Sequence, residues 1–271
     1  MSIVADHTGA LAPTRLLARP KRIALACIAV LAAAGWAALG LMLADTSLFA
    51  ALCRPNAGQQ DAAQAALVFA MWCAMALAMM LPTASPMILT YADLAETAAR
   101  KGEPAASPLV LAAGYVAVWL GAAMLLTILQ LLLMRVSLLD PMASASPLFS
   151  GAVFIAVGLY QFSALKHACV TQCQHPFRFF FANWTAQPRG VFGLGMRQGL
   201  YCLGCCWAMM LLMFAVGVMN VVWMAALGAA MTIEKIGTTT RFSRALGVVF
   251  ILAGAALILA SMMTHWPARA G

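Results

Sequence analysis

The sequence predicts an all-α fold, a polytopic transmembrane helix bundle of about seven spans whose N-terminus is cytoplasmic. Of its 271 residues, 64% are hydrophobic and only 9% are charged, and the mean hydropathy is +0.92. A soluble domain carries about 25% charged residues, so this composition is typical of a membrane protein. The formal net charge of +8 does not indicate nucleic-acid binding, because Lys and Arg of membrane proteins collect in cytoplasmic loops. We expect the lipid bilayer, and no nucleic acid, as a partner.

Apolar segments define the predicted helices, because a helix needs about 20 residues to cross a hydrocarbon core of about 30 Å. A basic cytoplasmic tail, residues 1–22, precedes a single helical membrane domain, residues 23–264, which contains an interfacial loop at 166–198. The first apolar segment exceeds the roughly 7–15 residues of a signal-peptide core, so we interpret it as an uncleaved span. The predicted spans lie near 23–44, 65–90, 108–134, 147–165, 200–218, 220–236 and 245–263.

The number of spans depends on residues 200–233, which form a stretch of 34 residues without a charge. As one helix this stretch would measure about 51 Å, more than ordinary tilt absorbs. We therefore expect a break at 217–220. With seven spans, thirteen of the sixteen Lys and Arg residues face the cytoplasm, against eleven with six spans. The positive-inside rule thus favours seven spans.

Cysteines from two segments are predicted to share one membrane surface. Cys202, Cys205 and Cys206 have i, i+3, i+4 spacing at the start of the fifth span, so a helix gathers them on one face. Cys169 and Cys173 have i, i+4 spacing just after the fourth span. Both segments then face the cytoplasm, where thiols stay reduced and structural disulfides are rare. Two such faces can supply three or four thiolates to one soft metal ion.

Nearby histidine, methionine and acidic side chains extend this candidate site. Histidines flank the first cysteine pair, although histidines in loops are usually solvated. Thioethers suit Cu(I), and the second span contains the methionine-rich stretch MWCAMALAMMLPTASPM. The acidic residue at 234 is either half of an interfacial ion pair with a lysine or a ligand, because carboxylates are costly at membrane depth. The additional candidate ligands are His167, His175, Met79, Met80, Met209 and Glu234.

Two further features surround the candidate site. Pro82 and Pro86 predict a kink in the second span, and Thr83 and Ser85 can bond to the carbonyl groups that the prolines leave free. Residues 175–184, HPFRFFFANW, predict an interfacial helix at headgroup level that covers the cysteines from one side.

These motifs resemble those of a bacterial family of cysteine-rich, multi-span integral membrane proteins predicted to bind metal, whose function is not established. The resemblance covers about residues 65–260 and is carried by MALAMMLPTASP, YQFSALKHACVTQC, GLYCLGCCWAMM, GVMNVVWM and the pair EK at 234–235. It implies a multi-span fold and metal binding at Cys169, Cys173, Cys202, Cys205 and Cys206. It implies neither a reaction nor the identity of the ion.

We therefore predict a multi-pass protein of the bacterial inner membrane that binds a soft metal ion at a cytoplasmic cysteine cluster. Cu(I) is the preferred ion and Zn(II) the second, because four thiolates also satisfy a tetrahedral zinc site. The role would be delivery, sensing or transport of the metal, with a soluble metal donor or acceptor protein as partner. The sequence contains no Gly-rich phosphate loop and no HExxH motif, so no hydrolytic machinery is indicated.

Three alternatives stay open at this point. A zinc staple joining the fourth and fifth spans would make the site structural. A membrane thiol–disulfide oxidoreductase could use the C-x-x-C spacing of Cys202 and Cys205. A haem protein is disfavoured, because only His167 and His175 are placed to act as axial ligands.

Overall fold

The computed structural model describes residues 20–44, 62–135, 146–217, 220–237 and 240–265, and all regular structure within these ranges is helical. The all-α prediction is therefore confirmed for the described part of the chain. Most of the predicted basic tail, residues 1–19, and Cys53 lie outside it. The helices are α1 (Pro20–Ala44), α2 (Ala62–Met75), α3 (Leu81–Arg100), α4 (Pro108–Arg135), α5 (Pro147–Tyr160), α6 (Ala164–Gln174), α7 (Pro176–Ala182), α8 (Pro188–Val216), α9 (Val221–Ile236) and α10 (Arg241–His265), and a π-helical turn, Ala76–Met80, joins α2 to α3.

Five helical stretches among the described residues are long and apolar enough to cross a membrane. The pair α5 and α6, bent by 64°, becomes a sixth if it forms one span. Helix α9, at the place of the predicted span 220–236, has 16 residues. Seven spans and a cytoplasmic N-terminus therefore stay predictions. The five stretches are Lys21–Ala44, Ala62–Arg100, Pro108–Arg135, Pro188–Val216 and Arg241–Met263.

The segment 166–198, expected to be an interfacial loop, is mostly helical. It contains most of α6, all of α7 and the first part of α8, which begins at Pro188 rather than near residue 200. Ser163 caps α6 by accepting from the Lys166 backbone N–H, and prolines open α7 and α8. The sequence prediction started this span near residue 200 because it required a segment without charged residues. Arg189 and Arg197 lie inside α8, so the helix begins earlier than predicted. The cysteines at 202–206 consequently lie near the middle of α8.

Helix α8 ends next to the segment where the sequence predicts a break. Its last residue is Val216, and Gly217 adopts φ +96°, a conformation that favours glycine. The next helix, α9, starts at Val221, and the Asn220 side chain accepts a hydrogen bond from the Trp223 N–H.

Glycines allow two helix pairs to pack with their backbones in close contact. In the α5–α10 pair, a Cβ atom at Gly158 would lie 2.8 Å from the Gly247 carbonyl oxygen, and a Cβ atom at Gly151 equally close to that of Gly254. Because Gly151 meets Gly254 and Gly158 meets Gly247, the two helices are antiparallel. Small residues of this kind permit close helix packing in membrane proteins.

Helices α4 and α8 form the second closely packed pair. Gly114 of α4 contacts the Phe192 carbonyl group, and Gly199 of α8 lies against Tyr115. The contacts advance in the same direction along both chains, so these helices run parallel. This packing brings α4 against the cysteine-bearing face of α8.

Helix α7 lies over the junction between α3 and α8. The Phe180 ring is 5.4 Å from that of Tyr91, and the Phe179 ring is 6.1 Å from that of Tyr201. Helix α7 thus covers the residue directly before Cys202, and its position at a membrane interface stays a prediction.

Candidate metal centre

Three thiols lie together on the buried face of α8. Cys202, Cys205 and Cys206 are each at most 2% exposed. The Sγ atoms of Cys202 and Cys206 are 4.0 Å apart. The thiols of Cys205 and Cys206 donate to the Cys202 carbonyl oxygen over 3.1 and 2.7 Å. The helical spacing therefore brings the three thiols together as the sequence indicates.

The π-helical turn before α3 brings a thioether to these thiols. The Cys206 Sγ atom lies 3.8 Å from the Sδ atom of Met80, the last residue of the turn. Pro82 has no N–H group and cannot continue the helical hydrogen-bond ladder. The Met80 carbonyl oxygen accepts from the Thr83 and Tyr115 hydroxyl groups, over 2.8 and 3.0 Å. Such π turns are often found at functional sites.

The two hydroxyl residues in this kinked span both bond to backbone carbonyl groups. Thr83 bonds to the Met80 carbonyl group and Ser85 to that of Pro82. Pro86 has no N–H group to offer the Pro82 carbonyl group four residues before it, so Ser85 satisfies a carbonyl group that a proline leaves free.

The cysteines of α6 approach α8 from the side. Cys173 lines a small cavity together with Cys202. The Cys169 Sγ atom lies against α8 at Gly204, 2.6 Å from where a Cβ atom there would be. Cys169 thus lies beside the other thiols. We use the name sulfur cluster for Cys173, Cys202, Cys205, Cys206 and Met80.

A lysine and a tyrosine that sequence reasoning did not select contact Cys202. The Lys235 Nζ atom is 2.9 Å from the Cys202 Sγ atom and 2.7 Å from the Thr83 hydroxyl oxygen. The Tyr115 hydroxyl is 3.0 Å from the same sulfur. A lysine at the end of an apolar helix was a signal in the sequence, because a buried ammonium group needs polar partners. Tyr115 gave no such signal.

Glu234 points away from the sulfur cluster. Its carboxylate forms an ion pair with Lys166 over 2.9 Å, and both side chains are buried. The Gln174 side-chain amide donates to the backbone carbonyl oxygens of Glu234 and Gly237. Of the two roles considered from the sequence, the structure favours the ion pair, although with Lys166 rather than with Lys235. These bonds hold α6 against the end of α9.

The histidine side chains lie off the sulfur cluster. The buried face of α6 is formed by Lys166, Cys169 and Val170. His167 follows Lys166 by about 100° around the helix and is half-buried, and His175 is exposed where α6 ends. Neither imidazole is hydrogen-bonded to a thiol in the described part of the chain.

The remaining methionine candidates are packed in the interior. Met79 contacts α9 at Gly228, whose Cβ position would be 3.7 Å from the methionine side chain. Met209 is fully buried and follows Cys205 by one helical turn. Neither residue is part of the sulfur contacts described above.

A cavity of about 20 Å³ borders the sulfur cluster, large enough for about one water molecule. Cys173, Cys202 and Lys235 line it, together with Gln198. The Gln198 side chain is 2% exposed, and its Oε1 atom has no hydrogen-bond donor among the described residues. The cavity therefore combines thiols, an ammonium group and a free acceptor.

A metal ion at this place would need the thioether as a ligand. Within the described ranges, no group of three or more His, Cys, Asp or Glu side chains is arranged to hold a metal ion. The closest sulfur contacts combine two thiols, Cys202 and Cys206, with Met80. This donor set is soft, which suits Cu(I) better than Zn(II).

Comparisons with known proteins place these observations in a family. Residues 69–257 match the model of a family described as PpoB2, copper chaperone. No curated protein and no solved structure matches the chain. The match extends from α2 to α10 and includes all five residues of the sulfur cluster.

Proposed function

The chain belongs to the PpoB2 copper chaperone family, and from this premise we propose that it is an integral membrane protein that binds Cu(I) as cargo. Cys202, Cys206 and Met80 hold the ion in this proposal. Cys205, Cys173 and Cys169 form a wider set of thiols through which the ion is exchanged. The function is delivery of copper to an acceptor protein.

The spacing of the sulfur atoms carries the proposal. Three sulfur ligands at about 2.3 Å from a trigonal ion lie about 4.0 Å from one another. The distances of 4.0 Å between Cys202 and Cys206 and of 3.8 Å between Cys206 and Met80 are close to this value. To bind the ion, the Cys206 thiol gives up its hydrogen bond to the Cys202 carbonyl oxygen.

The charge balance also supports Cu(I). Two thiolates and one Cu(I) ion carry a net charge of −1, which is costly in an apolar interior unless it is paired. The Lys235 ammonium group, 2.9 Å from the Cys202 sulfur, compensates this charge. Zn(II) prefers four thiolate or imidazole ligands and is poorly served by a thioether.

In this proposal the protein lies in the bacterial inner membrane with the site towards the cytoplasm, and the helix ends leave a route to the site. The sulfur cluster is near the middle of α8, yet α5 ends at Tyr160, which bonds to the Gly204 carbonyl group. Helix α9 ends one residue after Lys235. Because these shorter helices end at the level of the cluster, a polar partner can approach it from that side.

The proposal is tested by copper stoichiometry and Cu(I) affinity, measured on protein purified under reducing conditions by elemental analysis and by competition with a chromogenic Cu(I) chelator. We expect one copper per chain. Met80→Leu preserves the volume and removes only the thioether, so Cu(I) affinity should fall at least about tenfold, or about 1.4 kcal/mol. Cys206→Ser should cause a larger loss.

Cys27→Ser is the matched control, because it removes a thiol of α1 that is outside the sulfur cluster. It should bind copper like the unchanged protein. Stoichiometric zinc with no copper would establish the structural staple instead. A disulfide between cluster cysteines, with no metal bound, would establish the oxidoreductase.

A further inference from the structure

The thiols of the sulfur cluster differ in their exposure to solvent. Cys202, Cys205 and Cys206 are at most 2% exposed, whereas Cys173 is only partly buried. Cys173 and Cys202 line the same cavity of about 20 Å³. A donor protein cannot place its own thiolate against the buried sulfurs, but Cys173 lies between them and the outside.

We propose that Cys173 is the thiol that first accepts Cu(I) from a soluble thiolate donor and passes it inward. This inference rests on the proposed function and adds to it the route by which copper is loaded. Cys205, which lies about one turn after Cys202 on the buried face of α8, is the next ligand. Cys202, Cys206 and Met80 are the final ones.

The transfer is a ligand exchange in which copper stays Cu(I). The Cys173 sulfur binds the ion and gives its proton to the departing donor thiolate, so one Cu–S bond forms as another breaks. Cys205 then displaces Cys173 in the same manner, and its proton returns to Cys173. Cu(I) tolerates such exchange because it accepts two- and three-coordinate geometries.

Two observations besides the position of Cys173 support this route. Gln198 lines the cavity and its Oε1 atom has no donor among the described residues, so it offers a hydrogen-bond acceptor to a thiol during exchange. Cys173 is also held in place, because the adjacent Gln174 bonds to the backbone of Glu234 and Gly237. A fixed neighbouring thiol has a high effective concentration towards Cys205, which accelerates transfer.

The test compares the rate of loading with the final affinity, using the Cu(I)–glutathione complex as donor and the full-length protein in detergent. We expect Cys173→Ser to reach nearly the same affinity in chelator competition while loading at least about tenfold more slowly. Cys206→Ser should instead lose affinity. Cys27→Ser is the control and should match the unchanged protein in both measurements.

A second readout is alkylation by a water-soluble maleimide, followed by peptide mass spectrometry. Cys173 should be modified faster than the three thiols of α8, and alkylated protein should load slowly. Loading of Cys173→Ser at the unchanged rate would overturn the inference and leave the proposed function intact. So would a loss of affinity as large as that of Cys206→Ser, since Cys173 would then be a permanent ligand. Failure of the unchanged protein to bind copper would overturn the proposed function itself.

Discussion

In the α5–α10 pair two helix backbones approach each other at glycines, whereas in the sulfur cluster the contacts are made by side-chain sulfur, nitrogen and oxygen. Gly158 and Gly247 bring two helix backbones together and leave no room for a side chain. In the sulfur cluster, the Cys202 sulfur instead contacts the Lys235 ammonium group and the Tyr115 hydroxyl group in the interior. Close contacts between glycine backbones stabilise the helix pair. Polar and charged groups are costly inside a membrane, so their presence there usually marks a functional site.

The largest expected effect distinguishes these two regions directly. Gly158→Leu adds a side chain where a Cβ atom would already be 2.7 Å from Ile251 and 2.8 Å from a backbone oxygen. Overpacking costs about 1–3 kcal/mol when side chains can move. A backbone carbonyl group cannot move without shifting its helix, so we expect a larger cost and almost no folded protein by size-exclusion chromatography.

Gly121→Leu provides the matched control, because no atom lies within 4 Å of a Cβ atom at that position. It should elute like the unchanged protein. Met80→Leu and Cys206→Ser should also remain folded while binding less copper. If Gly158→Leu folds normally, the α5–α10 contact is not the structural element inferred here.

The sequence predicted the helical class from its long apolar segments, and the shared face of Cys202, Cys205 and Cys206 from their helical spacing. It could not predict the π turn that brings Met80 to Cys206, since the contacts of Met80 with Cys206 and Tyr115 join residues far apart along the chain. The start of α8 was missed because its first turns contain arginines, which a hydropathy argument excludes.

Contacts between distant segments were the least predictable part of the site. Lys235 is 33 positions from Cys202 along the chain, and Tyr115 is 87 positions away. Tyr115 is brought to Cys202 by the glycine-mediated packing of α4 on α8, and Lys235 by the position of α9, and one sequence gives the register of neither contact. Periodicity therefore predicts which residues share a face, and tertiary packing decides what that face meets.

A smaller effect tests whether Glu234 belongs to the metal site or only to a structural ion pair. Glu234→Gln leaves the buried Lys166 ammonium group without a carboxylate, and loss of one partner of a buried pair costs roughly 3 kcal/mol. We expect a lower melting temperature, measured by intrinsic fluorescence, with unchanged copper stoichiometry in the folded fraction. The double variant Lys166→Met, Glu234→Leu replaces both charges with apolar groups and should recover the stability. Loss of copper from a double variant that folds normally would make Glu234 a ligand.

The smallest effect concerns the two histidines that the sequence offered as ligands. His175 is exposed at the end of α6 and His167 is about 100° from Lys166 on the same helix, so neither imidazole shares the direction of the buried thiols. The double variant His167→Ala, His175→Ala should change the Cu(I) affinity by less than about 0.5 kcal/mol, or about twofold, in chelator competition. Its loading rate from Cu(I)–glutathione should also stay unchanged, because the exchange route passes through Cys173. A tenfold loss of affinity would instead indicate that the ion binds at the outer face of α6, to thiolate and imidazole together, and not in the interior.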